Sequence, residues 1–105
     1  MSVKKSPETK KRIAAVISKG ADLIEDRGWC IGALRDDSGR LCLMGAIKEA
    51  VRITDESNKI KFASYDAVNK SLRRANRDIH GWNDEQTGKD PVVALLRQVA
   101  KEVQA

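Results

Sequence analysis

The sequence predicts an α+β fold dominated by helix: about four helices around one core, with a short β-hairpin between the first and second. Three observations predict it. Apolar residues recur with a period near 3.6 in four separate stretches. Asp36-Asp37-Ser38-Gly39 supplies strong turn chemistry between two short apolar runs. Aromatics are limited to two Trp, one Tyr and one Phe, so the core must be built from Ile, Val, Leu and Ala. At 105 residues one domain is expected, spanning 6–105 behind a flexible basic arm over 1–5. With 41% hydrophobic and 33% charged residues, a disordered chain is excluded.

The first helix opens at Ser6-Pro7-Glu8: serine can cap, proline suits the first helical position, and glutamate suits the positive end of the dipole. Ile13, Val16, Ile17, Gly20, Ala21, Leu23 and Ile24 share one face, and Gly28 is the expected stop. Trp29 to Leu34 and Arg40-Leu41-Cys42 read as the two hairpin strands. A pair of strands is marginal alone and must lie against helices. From Leu43 the helical period returns, with Leu43, Ile47, Ala50 and Val51 on one face, to about Ile53. Thr54 to about Lys61 reads as a polar loop.

Ser64 opens the expected third helix. Tyr65, Val68, Leu72, Ala75 and Ile79 follow at spacings of three and four, an amphipathic signature. His80 to Gly88 reads as a structured loop in which Trp82 must pack. Asp90-Pro91 begins the last helix, with Val92, Leu95, Leu96, Val99 and Val103 as its buried stripe.

The charge is unevenly placed. The formal net charge is +5, and residues 1–19 carry six cations against Glu8 alone, while the rest of the chain balances 14 cations with 14 acids. On the third helix Lys70, Arg73, Arg74 and Arg77 fall within about 100° of arc opposite the apolar face. These four, assisted by Lys10 and Lys11, are the candidate binding residues. Such a stripe can follow a phosphate backbone or meet an acidic protein surface. It has no interleaved aromatic for base stacking. About ten residues between the second and third helices are too many for a helix-turn-helix.

No catalytic residue is assigned. A thiol mechanism needs a thiolate beside an oriented base. Cys30, Cys42, His80 and Asp84 are the residues from which a remote thiol-dependent alternative could be assembled, yet nothing in the sequence places them together. The bland alternative is that both cysteines are small buried apolar residues. In the expected hairpin Cys42 stands opposite Leu34 rather than Cys30, which argues against a disulfide. No metal-ligand spacing and no cofactor motif is present.

Three blocks carry a family resemblance. Gly28-Trp29-Cys30-Ile31-Gly32-Ala33, Cys42-Leu43-Met44-Gly45-Ala46-Ile47 and Trp82-Asn83-Asp84 occur in that order, ahead of a terminal Leu95-Leu96 helix. The pattern resembles an uncharacterised family, a domain of unknown function, of small actinobacterial and actinobacteriophage proteins, over about residues 12–100. The resemblance implies a shared fold and a phage or actinobacterial cytoplasmic setting, and no activity. In structural terms, each indole needs a partner for its N–H. Two tryptophans packed together would pin hairpin to loop. Gly32 and Gly45 would permit close approach. Asn83 and Asp84 can cap backbone amides.

The resulting expectation is a cytoplasmic, non-enzymatic binding protein without cofactor or metal. Its favoured partner is a protein and its alternative partner a nucleic acid. A homodimer is also conceivable, and membrane association is not expected, because no apolar run is long enough to span a bilayer and no signal peptide is evident.

Overall fold

A computed structural model describes residues 5–72 and 79–105. Five helices follow in order: α1 Pro7–Arg27, α2 Leu43–Ile53, α3 Asn58–Leu72, α4 Ile79–Glu85 and α5 Lys89–Gln104. The four-helix, hairpin-containing α+β reading is therefore corrected: among the described residues the fold is all helix, with a fifth helix and no strand.

α1 begins and ends where the sequence places it. Ser6 Oγ accepts from the Thr9 N–H at 3.1 Å, and Gly28, at φ 95°, closes the helix with its N–H donating to Ile24 O at 2.8 Å. The face from Ile13 to Ile24 is buried. α5 lies along α1, and Arg97 bonds Asp22 at 2.9 Å across the pair. The α5 stripe is wider than expected: Val92, Val93, Leu96, Val99 and Ala100 are buried, while Leu95 and Val103 are packed against the core edge. α5 starts at Lys89, so Asp90 lies in its first turn rather than capping it.

The hairpin fails because the backbone groups of its would-be strands find other partners. Its turn forms as expected: Asp36 Oδ1 accepts from the Ser38 and Arg40 N–H groups at 3.0 and 2.9 Å. The ladder around it is a single residue deep. Leu41 bridges antiparallel to Arg35 on one side and parallel to Trp29 on the other. Between these the chain reverses at Gly32, whose φ of 77° breaks an extended run and whose N–H goes to Asp84 Oδ1 at 3.3 Å. Cys42 then leaves the would-be strand to cap α2, its Sγ accepting from the Gly45 N–H at 3.3 Å. Segment 28–42 is thus a folded loop with Leu41, 2% exposed, at its centre.

The connection between α2 and α3 spans residues 54–57, four rather than about ten. α2 ends in a Schellman motif. Glu56 N–H donates to Val51 O at 2.9 Å and Asp55 N–H to Arg52 O at 3.3 Å, with Asp55 at φ 55° in the position that glycine usually fills. Ser57 Oγ then accepts from Ile60 N–H at 3.3 Å, and α3 is under way by Asn58. Without a glycine or proline to mark it, this tight link reads as an open loop in the sequence. Arg12 and Glu56 join α1 to the same link through a two-point ion pair, at 2.6 and 3.0 Å.

Of the helix expected over 64–79, residues 64–72 are helical as the last part of α3 and Ile79 begins α4, which runs on into the stretch expected as loop. Residues 1–4 of the basic arm, and Arg73, Arg74 and Arg77 with their neighbours, lie outside the described residues.

Two glycines test this packing in opposite directions. A Cβ on Gly45 would collide with the Leu34 carbonyl oxygen and lie 2.7 Å from its carbon. A Cβ on Gly20 would make ordinary contact with α2, 3.5 Å from the Ala46 carbonyl carbon. Gly45→Ala is expected to destabilise by about 3 kcal/mol or to prevent folding. Gly20→Ala is expected to be neutral or to stabilise by about 0.5–1 kcal/mol, through helix propensity. Urea unfolding of both variants checks the pair.

Candidate functional site

The three sequence blocks meet at one buried amide. Asn83 lies on α4 and is 0% exposed. Its Oδ1 accepts from Trp29 Nε1 at 2.8 Å and from the Leu43 N–H, at the start of α2, at 3.0 Å. Its Nδ2 donates to Cys30 O and Asp84 Oδ1, both at 3.1 Å. A primary amide has two acceptor positions and two N–H donors, and all four are used. Asp84 Oδ1 also receives the Gly32 N–H. The N–H of Trp29 thus finds Asn83, and the tryptophan that pins the loop does so through this amide rather than through Trp82. A side chain with no unused hydrogen-bonding capacity holds structure together and has nothing left for a ligand.

A surface cleft of about 350 Å³ lies between the 28–42 loop, α2 and the start of α3. Leu34, Leu41, Gly45 and Val51 contribute its apolar lining, and Arg35, Lys48, Arg52 and Lys61 its charge, with Glu49 and Asn58. Glu49 is held by Arg27 at 3.6 Å and by Arg52. Among the described residues Arg35 and Lys48 make no ion pair. The Lys61 ammonium stands 5.1 Å from the Phe62 ring centroid, and that ring is 58% exposed with its edge against Tyr65.

A family model, described as a family of unknown function (DUF6197), matches residues 8–102. The chain belongs to this family. No curated protein and no solved structure matches it. All three blocks fall inside the DUF6197 span, and in this member they form the Asn83 junction.

The thiols of this DUF6197 chain are protonated and occupied. Cys30 Sγ donates towards Arg40 O and Ala33 O at 3.3 and 3.5 Å, so a thiolate there would face two carbonyl oxygens. Burial raises its pKa above the ordinary thiol value, and Cys42 adds to the effect. Burial also raises Cys42, outweighing the amides at the α2 terminus that favour its thiolate. Both cysteines are free; Cys42 N–H donates to Leu34 O at 3.2 Å, as the turn register implies, but the parallel Trp29–Leu41 bridge also sets Cys30 next to Cys42, which the register reading did not expect. His80 is exposed on α4 whereas both thiols are buried. Among the described residues no group of three or more His, Cys, Asp or Glu could hold a metal.

The sequence-derived binding residues are not gathered into the cleft. Lys70 is exposed on α3, on the side that also carries Lys59, Phe62 and Asp66. Lys10 is half-buried and Lys11 exposed at the start of α1. Two of the cleft cations left a trace in the sequence, since Lys48 and Arg52 are four apart on the polar face of α2. Lys61 was obscured by the loop reading and Arg35 by the hairpin reading.

Two outcomes follow from the junction and its neighbours. Asn83→Ala leaves the Trp29 and Leu43 donors and the Cys30 carbonyl without partners and should cost about 3 kcal/mol, against about 1 kcal/mol for Asp84→Ala, by urea unfolding. Because both thiol pKa values are raised, iodoacetamide should label the native protein at neutral pH at least about tenfold more slowly than the urea-unfolded chain. The native rate should climb only as the pH passes above the ordinary thiol range. Equal labelling of the two states at neutral pH would contradict the buried-thiol assignment.

Proposed function

We propose that this chain is a small non-catalytic binding protein that acts through a protein partner, with the cleft between the 28–42 loop, α2 and α3 as its contact surface. The observation that carries this reading is the pairing of an apolar floor, Leu34, Leu41 and Val51, with Arg35, Lys48 and Lys61, none of which has an ion-pair partner among the described residues. Apolar centre and charged rim is the composition of a protein-recognition patch. Unpaired cations there speed association and select an acidic partner. The occupied thiols and the saturated Asn83 support a non-catalytic role. The proposed setting is the cytoplasm of an actinobacterial or phage-infected cell. That setting rests on the resemblance of the three blocks, and two reduced thiols are consistent with it.

A nucleic-acid partner is the second reading, and one observation favours it. Four residues between α2 and α3 is a connection short enough for a helix-turn-helix. Lys59, Phe62 and Lys70 are exposed along α3, and Arg73, Arg74 and Arg77 follow in sequence. Affinity capture from the native host, with and without nuclease, separates the two readings. A nuclease-resistant protein partner is expected, and Lys48→Glu with Lys61→Glu should weaken its capture about tenfold without altering the circular dichroism spectrum. Capture unaffected by that double reversal overturns the cleft assignment. Capture that vanishes with nuclease, falls steeply with salt and is lost in Lys70→Glu favours nucleic acid instead.

A further inference from the structure

Resting on the reading of the cleft as a protein-contact surface, we infer that its occupant is an extended acidic peptide segment that inserts one apolar side chain. Three features of the cleft converge on this occupant.

The first is charge. Four cations line the cleft, and its one acid, Glu49, is already engaged by Arg27 and Arg52. The excess favours carboxylates. A bare phosphate chain suits the cleft less well, since it would lie against Leu34, Leu41 and Val51 and give up hydration without compensation.

The second is size. About 350 Å³ is at the small end of the roughly 300–1,000 Å³ of ordinary ligand sites. One anchoring side chain with its flanking backbone fits that space better than a whole helix face, which needs a longer groove with anchors one turn apart.

The third is backbone geometry, and it selects an extended conformation. Cys42 N–H donates to Leu34 O at 3.2 Å and Asp36 N–H to Arg40 O at 3.0 Å. These two bonds flank the Arg35–Leu41 bridge and make it a non-hydrogen-bonded antiparallel pair. The N–H and C=O of Arg35 therefore point away from Leu41, and neither has a backbone partner among the described residues. Leu41 is satisfied on its other side: its N–H donates to Gly28 O at 3.1 Å and its carbonyl accepts from Cys30 N–H at 3.2 Å. Arg35 is thus the free edge of a one-residue sheet, and this residue lines the cleft. A peptide laid beside it can exchange two main-chain hydrogen bonds with Arg35, present acidic side chains to Lys48 and Lys61, and turn an apolar residue onto the floor.

The experiment pans a phage-displayed library of short random peptides against the full-length protein. Enriched peptides are then titrated by fluorescence anisotropy and by amide chemical-shift mapping. Net-acidic peptides with a central apolar residue are expected, with shifts centred on Leu34, Arg35, Val51 and Lys61. Affinity should fall about tenfold or more in the Lys48→Glu, Lys61→Glu double variant. N-methylation of one peptide position should cost a similar factor while its neighbours tolerate it, the mark of a main-chain pairing with Arg35. Peptides that shift the cleft amides without acidic residues, or without sensitivity to the double reversal, overturn the acidic occupant and leave the cleft as a contact surface. Tolerance of N-methylation at every position overturns the edge pairing. Shifts centred elsewhere overturn the cleft reading itself. A library that enriches nothing overturns the peptide occupant, and host capture then decides the contact surface. Oligo-dT that moves the same amides more tightly than any peptide overturns the inference in favour of nucleic acid.

Discussion

The Asn83 side chain is the constraint on which the rest of the structure depends. Trp29 with Cys30, Leu43, and Asp84 belong to three places in the chain, and one fully buried amide bonds them all. The long-range cost of ordering a fifteen-residue loop is met by bonds that span up to 54 positions. A buried amide with one partner missing is expensive, and one with all four partners fixes its neighbours to a single arrangement. Through Leu43 it sets the start of α2; through Trp29 and Cys30 it sets the path of the loop. The cleft between that loop and α2 therefore inherits its shape from a side chain that takes no part in lining it.

Glycine completes that arrangement. Gly45 admits the Leu34 carbonyl against the first turn of α2, a distance no side chain allows. Gly32 turns the chain away from Leu41. Together they convert two potential strands into a loop that exposes Ile31 and buries Leu41. Alternating or apolar character over a few residues marks extended backbone, and extended backbone exists here. A ladder needs a second row of donors and acceptors, and those belong to Asp84 and to the cap of α2.

Charge in this protein divides into two populations. Arg12, Arg40 and Arg97 are paired within the molecule, with Glu56, Asp36 and Asp22. The Arg12 guanidinium holds the Glu56 carboxyl below its ordinary value. Asp36 is held low as well, where the Arg40 amide and guanidinium outweigh the desolvation that opposes them. Those pairs tie helices and turns together. Arg35, Lys48 and Lys70 have no such role among the described residues, and the first two border an apolar floor. Arg35 and Lys48 thus bring to the cleft a positive charge that no ion pair among the described residues neutralises.

The sequence by itself determined α1 with both caps, the bounds of α2 and the identity of the three blocks, because helix period, Ser-Pro starts and glycine stops are short-range signals within a few residues. It also placed Cys42 opposite Leu34, since a turn of known length fixes its own register. Only the tertiary structure decided that α3 starts at Asn58, that Ile79–Glu85 is helical and that the hairpin is a loop. Each of these turns on a distant partner or on an unmarked cap: Asp55 in a glycine's position, Asn83 beneath the loop, Asp84 taking the Gly32 N–H. The cleft was illegible for the same reason. Its cations come from Arg35, α2 and Lys61, and residues separated by 26 positions share a surface only after the chain has folded them together.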